Sequence, residues 1–314
     1  NIKEAEILSG IKIRGLADRK RAARAILKTG VRAVVLTGGH LKGKPEDLFM
    51  DHSGMEILSS ERLSNSDPHG TGCVFSSAIT AGLALGWQTL PAVKAAKDFI
   101  GKAILGEVLS GNGKPSVDPL AVLYREVEKT RAIEAMNRAI QIFREERIGQ
   151  LIPEVQTNIG LALPNAKSHG DVLAIPGRII KNGDDIFTGA EPEFGGSRHV
   201  ANIVLTTMRW DPEKRAVMNI KYTDALLKIC HRLRFKIASF DRADEPRNIR
   251  VREGSSLEWG TQNALTQYGS VPDIIYDLGG IRKEEMIRVI AEDMESLTKK
   301  ILAIHRLHKK AMKT

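Results

Sequence analysis

Cysteine is nearly absent. Cys73 and Cys230 are the only two in 314 residues, too few for a disulfide framework or a four-thiolate zinc site. That scarcity favours a reducing, cytoplasmic setting. Aromatic residues make up 5% of the chain and nowhere interleave with a basic stretch, which argues against a base-stacking nucleic-acid surface. Apolar runs stay short, as at Ala33 to Leu36, whereas a bilayer span needs roughly 20 such residues, so no membrane association is expected. The opening Asn-Ile-Lys-Glu-Ala-Glu puts acidic groups where a signal peptide needs an apolar segment. It also lacks Met, as if the chain began in mid-domain.

What is present is a surplus of positive charge. Lys and Arg total 47 against 38 Asp and Glu, a formal net charge of +9 with a pI near 9.5. Such a balance attracts polyanions, either nucleic acid or phosphorylated small molecules. The most basic run, His305 to Lys313, reads as the solvated end of an amphipathic segment beginning near Glu284, where cations suit the helix dipole. No specific nucleic-acid binding is therefore expected. Hydrophobic residues at 42% and charged residues at 27% are ordinary for a globular chain, and the length suits about two domains.

The first half reads as α/β. Asp18 to Lys28 is predicted as a helix, Ala33 to Thr37 as a buried strand ended by Gly38-Gly39, and Asp47 to Ser59 as a hairpin. A Gly-rich turn at His69 to Gly72 opens a helix from Cys73 to Leu85, and Pro91 starts another that Gly111-Asn112-Gly113 breaks. Lys114 to Asp118 is the seam, and Leu120 to Glu146 is predicted as one long charged helix. Residues 1–118 and 132–314 are expected to be separate domains, with 119–131 connecting them.

The second half also reads as α/β, with a mixed sheet of unreadable order. Asp171 to Ile180 and His199 to Met208 are predicted as strands. Asp211-Pro212-Glu213-Lys214 is expected to turn the latter into an antiparallel strand over Ala216 to Tyr222. Then come a helix at Thr223 to Arg234, strand Lys236 to Phe240, a helix at Ser255 to Tyr268, strand Ile274 to Leu278 and the C-terminal helix.

Two constellations carry chemistry. In His69-Gly70-Thr71-Gly72-Cys73, glycines at a helix start allow backbone N–H groups to meet phosphate oxygens; a plain turn with Thr71 as cap is the alternative. In the second half, Gly195-Gly196-Ser197-Arg198-His199, Gly177-Arg178, Lys221, Asp241-Arg242 and Gly254-Ser255-Ser256 put basic and small polar groups on loops beside strands. That set suits a diphosphate. Taken singly, each has a plainer reading that is favoured: Arg178 as a hairpin surface residue, His199 as a core histidine, and Gly254-Ser255-Ser256 as a helix cap.

Thr37-Gly38-Gly39-His40, Asp47-Leu48 and the stretch Ser66-Asp67-Pro68-His69-Gly70-Thr71-Gly72-Cys73-Val74-Phe75-Ser76-Ser77-Ala78-Ile79 closely resemble the ribokinase-like hydroxymethylpyrimidine and phosphomethylpyrimidine kinases. The resemblance implies that Gly70, Thr71 and Gly72 form an anion hole for a phosphoryl group from ATP, with Cys73 beside the attacking oxygen. A thiolate at such a helix start is expected to be stabilised. Only the C-terminal half of the kinase is matched, and Thr37 stands where the family commonly has a nucleotide-facing lysine. By itself this chain is expected not to phosphorylate the pyrimidine.

From about Ala132 to Ala311 the chain resembles the ThiN-type thiamine-phosphate synthases. The carrying motifs are Ile152-Pro153-Glu154-Val155-Gln156-Thr157-Asn158-Ile159, Asp171-Val172-Leu173-Ala174-Ile175-Pro176-Gly177-Arg178-Ile179, and the Gly195 to His199, Asp241-Arg242 and Gly254 to Ser256 segments. The resemblance implies a bifunctional arrangement of kinase and synthase, a homodimer, and Arg178 and His199 as the basic pair needed for synthesis. The implied reaction joins hydroxymethylpyrimidine diphosphate to hydroxyethylthiazole phosphate and releases pyrophosphate. Mg²⁺ is the natural diphosphate partner, with Asp241 as its candidate carboxylate. Related domains without catalysis sense thiamine phosphate beside DNA-binding domains; Arg178, His199 and the kinase-like first half favour the enzyme.

Overall fold

The structure, a computed structural model, describes residues 1–39, 43–63, 68–108, 113–246, 255–280 and 283–312. His40, Ser66, Asp67, Gly111, Asn112 and Gly254 lie outside the described residues, as does the side chain of Ser255. The chain forms two compact units, Asn1–Arg125 and Glu126–Thr314. Among the described residues, no helix is long and apolar enough to cross a membrane.

In the first unit, strands β1 (Ala33–Leu36), β2 (Glu46–Asp51) and β3 (Met55–Ser59) make an antiparallel sheet. Alternation along β2 sends Leu48 and Met50 towards helices α1 (Ile2–Ser9) and α2 (Leu16–Leu27). Phe49 points the other way, to α3 (Thr71–Ala84) and α4 (Thr89–Leu105). Asp47 is buried; it accepts from the Gly38 N–H at 2.8 Å and from Lys97 Nζ at 2.5 Å, tying the Gly38-Gly39 turn to the hairpin.

The second unit is a seven-stranded mixed sheet covered on both faces. Its strands are β4 (Ile159–Ala162), β5 (Val172–Ala174), β8 (Glu193–Phe194), β9 (Ala216–Lys221), β10 (Ile237–Ser239), β11 (Ile274–Asp277) and β12 (Met286–Ala291). Across the sheet the order is β10-β11-β12-β9-β4-β5-β8. Only β10 and β11 pair in parallel. A separate hairpin joins β6 (Ile179–Asn182) and β7 (Asp185–Thr188).

The pleat sorts side chains between two cores. Met218 and Ile220 of β9 and Ile287 and Val289 of β12 face α5 (Ala121–Glu146), α7 (Asp224–Arg232) and α9 (Met294–Ala311). Val217 and Ile290 face α6 (Arg198–Met208) and α8 (Ser255–Tyr268). Helix starts carry their caps: Thr223 Oγ1 accepts from the Leu226 N–H and Asp293 Oδ1 from the Ser296 N–H, each satisfying a first-turn donor.

Several expected elements are corrected. His199 to Met208 is helical, not extended, because Val200, Ile203, Val204, Thr207 and Met208 recur at helical spacing and bury one side. The turn at Asp211 to Lys214 therefore leads from a helix into β9, whose partners are β12 and β4. Asp171 to Ile180 is broken at Ile175 to Arg178 between β5 and β6. Glu284 does not start a helix, since β12 intervenes, buried on both faces. His305 is 3% exposed rather than solvated, its Nε2 3.0 Å from the Glu146 carbonyl oxygen.

Close approach requires glycine at position 260. A Cβ at Gly260 on α8 would lie 2.4 Å from the Phe240 ring, itself edge-on to Trp259. Gly260→Ala is expected to cost about 1–3 kcal/mol by overpacking. It should appear as a lower denaturant midpoint at unchanged slope, and an unmoved midpoint would contradict it.

Candidate functional site

Between α6, α8 and the sheet lies a cavity of about 640 Å³ in the second unit, a size typical of small-molecule sites. Gly177, Arg178, Gly196, Ser197, Arg198, His199, Arg242 and Ser256 all line it, so residues spread over 80 positions converge. Lys221 and Asp241 do not line it. Gly70, Thr71, Gly72 and Cys73 belong to the other unit. There Gly70 caps α3 with φ 88°, Thr71 Oγ1 donates to the Pro68 carbonyl, and Cys73 is exposed.

The first wall is the start of α6. Helix starts leave N–H groups unsatisfied and carry partial positive charge. The Gly195 and Gly196 N–H groups donate to the Val172 and Glu193 carbonyls at 2.9 and 3.1 Å. They shape the turn rather than bind anions. A side chain at Gly196 would meet the Ala174 carbonyl oxygen at 2.8 Å. Ser197 is the N-cap residue and its hydroxyl makes no capping bond. His199, in the first turn, is exposed and cavity-facing, so the core-histidine alternative falls away.

Arg178 is held by a relay of backbone contacts. Its Nη1 donates to the Val155 carbonyl. Glu284 in turn accepts from the Glu154 and Val155 N–H groups at 3.0 and 2.9 Å. Asn219 Oδ1 accepts from the Asn158 N–H, and Asn158 bonds both backbone groups of Ile175, just before the Pro176-Gly177-Arg178 loop. Of the Asn219 to Tyr222 segment it is Asn219, not Lys221, that lines the cavity.

The second wall holds buried charge. Arg242 donates through Nε and Nη2 to Asp277, which also accepts from the Gly279 N–H. Arg288 Nη1 lies 2.7 Å from Asp277 Oδ2 yet is not aligned for a hydrogen bond. Both guanidinium groups sit over the Phe240 ring, 5.5 and 5.3 Å from its centre, within cation–π range. Burial alone would raise the Asp277 carboxyl, but Arg288 and Arg242 outweigh it and hold it below the ordinary aspartate range. Burial draws the Arg288 guanidinium below its usual value, opposed by Asp277. Outside the cavity, burial followed by the charge of Lys181 lowers Lys221.

Among the described residues, the donors at the cavity do not fit a resident Mg²⁺. Asp241 Oδ1 caps the Ala243 N–H, Asp277 is taken by arginines, and Glu284 by backbone. No group of three acidic, His or Cys side chains gathers among the described residues.

Such a cavity, with two basic walls and a helix start on an α/β scaffold, has the chemistry that suits phosphorylated small molecules. Residues 135–303 match the family Thiamine-phosphate synthase ThiN, and residues 1–118 match Phosphomethylpyrimidine kinase. The chain belongs to the thiamine-phosphate synthase ThiN family. Thiamine-phosphate synthase ThiN of Methanothermobacter thermautotrophicus is 35% identical over 178 residues, covering 56% of this chain and 94% of that protein. The bifunctional thiamine biosynthesis protein ThiDN of Methanocaldococcus jannaschii is 40% identical over 245 residues, 78% of this chain. The chain spans only 56% of that relative's length. A crystal structure of the C-terminal domain of phosphomethylpyrimidine kinase superposes with a TM-score of 0.54 at 37% identity, covering 56% of this chain and all of that one.

Proposed function

We propose that the second unit joins hydroxymethylpyrimidine diphosphate to hydroxyethylthiazole phosphate, giving thiamine phosphate and pyrophosphate. The observation that carries this reading is the convergence of Arg178 and the α6 start, with Ser197 and His199, in one cavity. The bond from the pyrimidine methylene carbon to the diphosphate oxygen breaks, and the departing group takes the electron pair. The aminopyrimidine spreads the positive charge left behind, and the thiazole nitrogen closes the new C–N bond. No protein nucleophile is required. The residues' task is to stabilise charge growing on the diphosphate. Arg178 supplies a permanent charge and His199 a hydrogen bond or proton to the leaving oxygen.

In this reading 1–118 is a kinase-derived domain that would use ATP, 119–131 connects, and 132–314 is the synthase. A homodimer in the cytoplasm completes it, and any Mg²⁺ arrives with the diphosphate rather than in a protein cage. Mass-detected turnover of the two precursors tests the reaction: thiamine phosphate and pyrophosphate should appear in equal amounts. Binding of thiamine phosphate with no turnover would instead make the unit a sensor. His199→Ala should lower kcat by about tenfold or more, the worth of one hydrogen bond to a charged oxygen. KM should change less, because that bond strengthens only as charge develops. Equal loss in binding and turnover would contradict this role.

A further inference from the structure

The two walls differ in what they can do with an anion. The α6 wall pairs a fixed cation, Arg178, with His199, a group able to give up a proton. The opposite wall contains Arg242, Arg288 and Lys283 but, among the described residues, no histidine. Lys283 Nζ lies 3.3 Å from Glu245 Oε2 and 3.1 Å from Ser256 Oγ. Among the described residues, three cations thus face two carboxylates, Asp277 and Glu245, leaving one positive charge in excess. The lining carboxylate, Glu284, is turned onto backbone N–H groups. Arg288 is 2% exposed, lines the cavity, and keeps one N–H-bearing nitrogen without a hydrogen bond. A wall with more cations than carboxylates is a ready partner for an incoming anion.

We propose that Arg242 and Lys283, backed by Arg288, form a second phosphate subsite that holds the phosphate monoester of the thiazole substrate. The inference rests on the synthase reading and assigns each phosphorylated substrate its own wall. A phosphate retained from substrate to product needs constant, rigid charge and no proton. A diphosphate that departs needs a group whose interaction grows during the reaction. Asp277 and the Phe240 face fix Arg242 in advance, so little rotamer freedom is lost on binding. Arg288 acts behind it as a positioning residue, holding Asp277 and adding charge.

The test titrates the full chain with inorganic phosphate and with inorganic pyrophosphate, in the parent, Lys283→Gln, Arg242→Gln and Arg178→Ala. Lys283→Gln and Arg242→Gln should weaken phosphate about tenfold or more and leave pyrophosphate within about twofold; Arg178→Ala should do the reverse. Lys283 is part-exposed, 37% for its side chain, so its variant reports even if Arg242→Gln fails to fold. In turnover, Lys283→Gln should raise KM for the thiazole phosphate about tenfold with KM for the pyrimidine diphosphate unmoved. Both KM values rising together, or Arg178→Ala weakening phosphate as much as Lys283→Gln, overturns the assignment. A parent chain without turnover would remove the synthase reading, while the two inorganic anions still decide the subsite.

Discussion

Arg178→Lys is expected to lower turnover by roughly 100- to 1000-fold, the loss seen when one donor to developing charge is removed. Charge is conserved in this change, but geometry is not. A guanidinium offers five N–H donors in a planar fork, and one nitrogen here is committed to the Val155 carbonyl, leaving others for two diphosphate oxygens. Lysine would have to choose between the carbonyl and the anion. The side chain is exposed, so melting should stay near that of the parent, and a folded variant with near-parental turnover sinks the role. Because the Val155 carbonyl is itself placed by Glu284, weakening that clamp should reproduce part of the same defect.

Asp277→Ala is expected to be the most destabilising single change, costing about 3–5 kcal/mol by stripping a buried ion cluster of its anion. Asp277 is fully buried between Arg242 and Arg288, and the variant would leave both guanidinium groups without their shared anion. The pH dependence has a definite sign. The folded carboxyl titrates below its unfolded value, so its stabilisation is complete above the unfolded pKa of about 3.9. It fades as pH falls further and vanishes below the lower folded value. Denaturant midpoints of parent and variant should therefore differ most near neutrality and converge in strong acid. A constant gap from pH 7 to pH 2 would show that Asp277 contributes by shape alone.

Much of the architecture is legible in the sequence because it is local. The long charged α5, the capped α7, and α8 ending at Tyr268 all announce themselves through spacing and composition. α6 does not. Its Val200, Ile203, Val204, Thr206 and Thr207 have strand-like side chains, and tertiary burial against β4 and β9 overrides that preference. β12 was hidden for the opposite reason: Glu284, Glu285, Arg288 and Glu292 break up an apolar strand so that it reads as an amphipathic segment. For the site, loops rich in Gly, Arg and His advertise anion chemistry, which is why Arg178, His199 and Arg242 could be named. Asn219, Asp277 and Arg288 are polar residues set in mostly apolar strands, and their meeting depends on strand order. Glu284 reaches backbone N–H groups 129 and 130 positions earlier in the chain, a distance no short motif encodes.

One pairing has a consequence for folding itself. Arg288 stands opposite Asn219 in the β12–β9 register, so the polar floor of the cavity crosses the middle of the sheet. Slipping β12 by one residue would turn Arg288 into the layer packed by α5, α7 and α9, among Met218, Ile220 and Leu297. Val289 would then enter the cavity and Asp277 would lose a counter-ion. The misaligned sheet would bury a bare charge, at a cost comparable to the net stability of a typical domain. Arg288, which lines the cavity, thereby also proofreads the assembly of the sheet, and a chain that mispairs these strands eliminates itself before it can present a defective site.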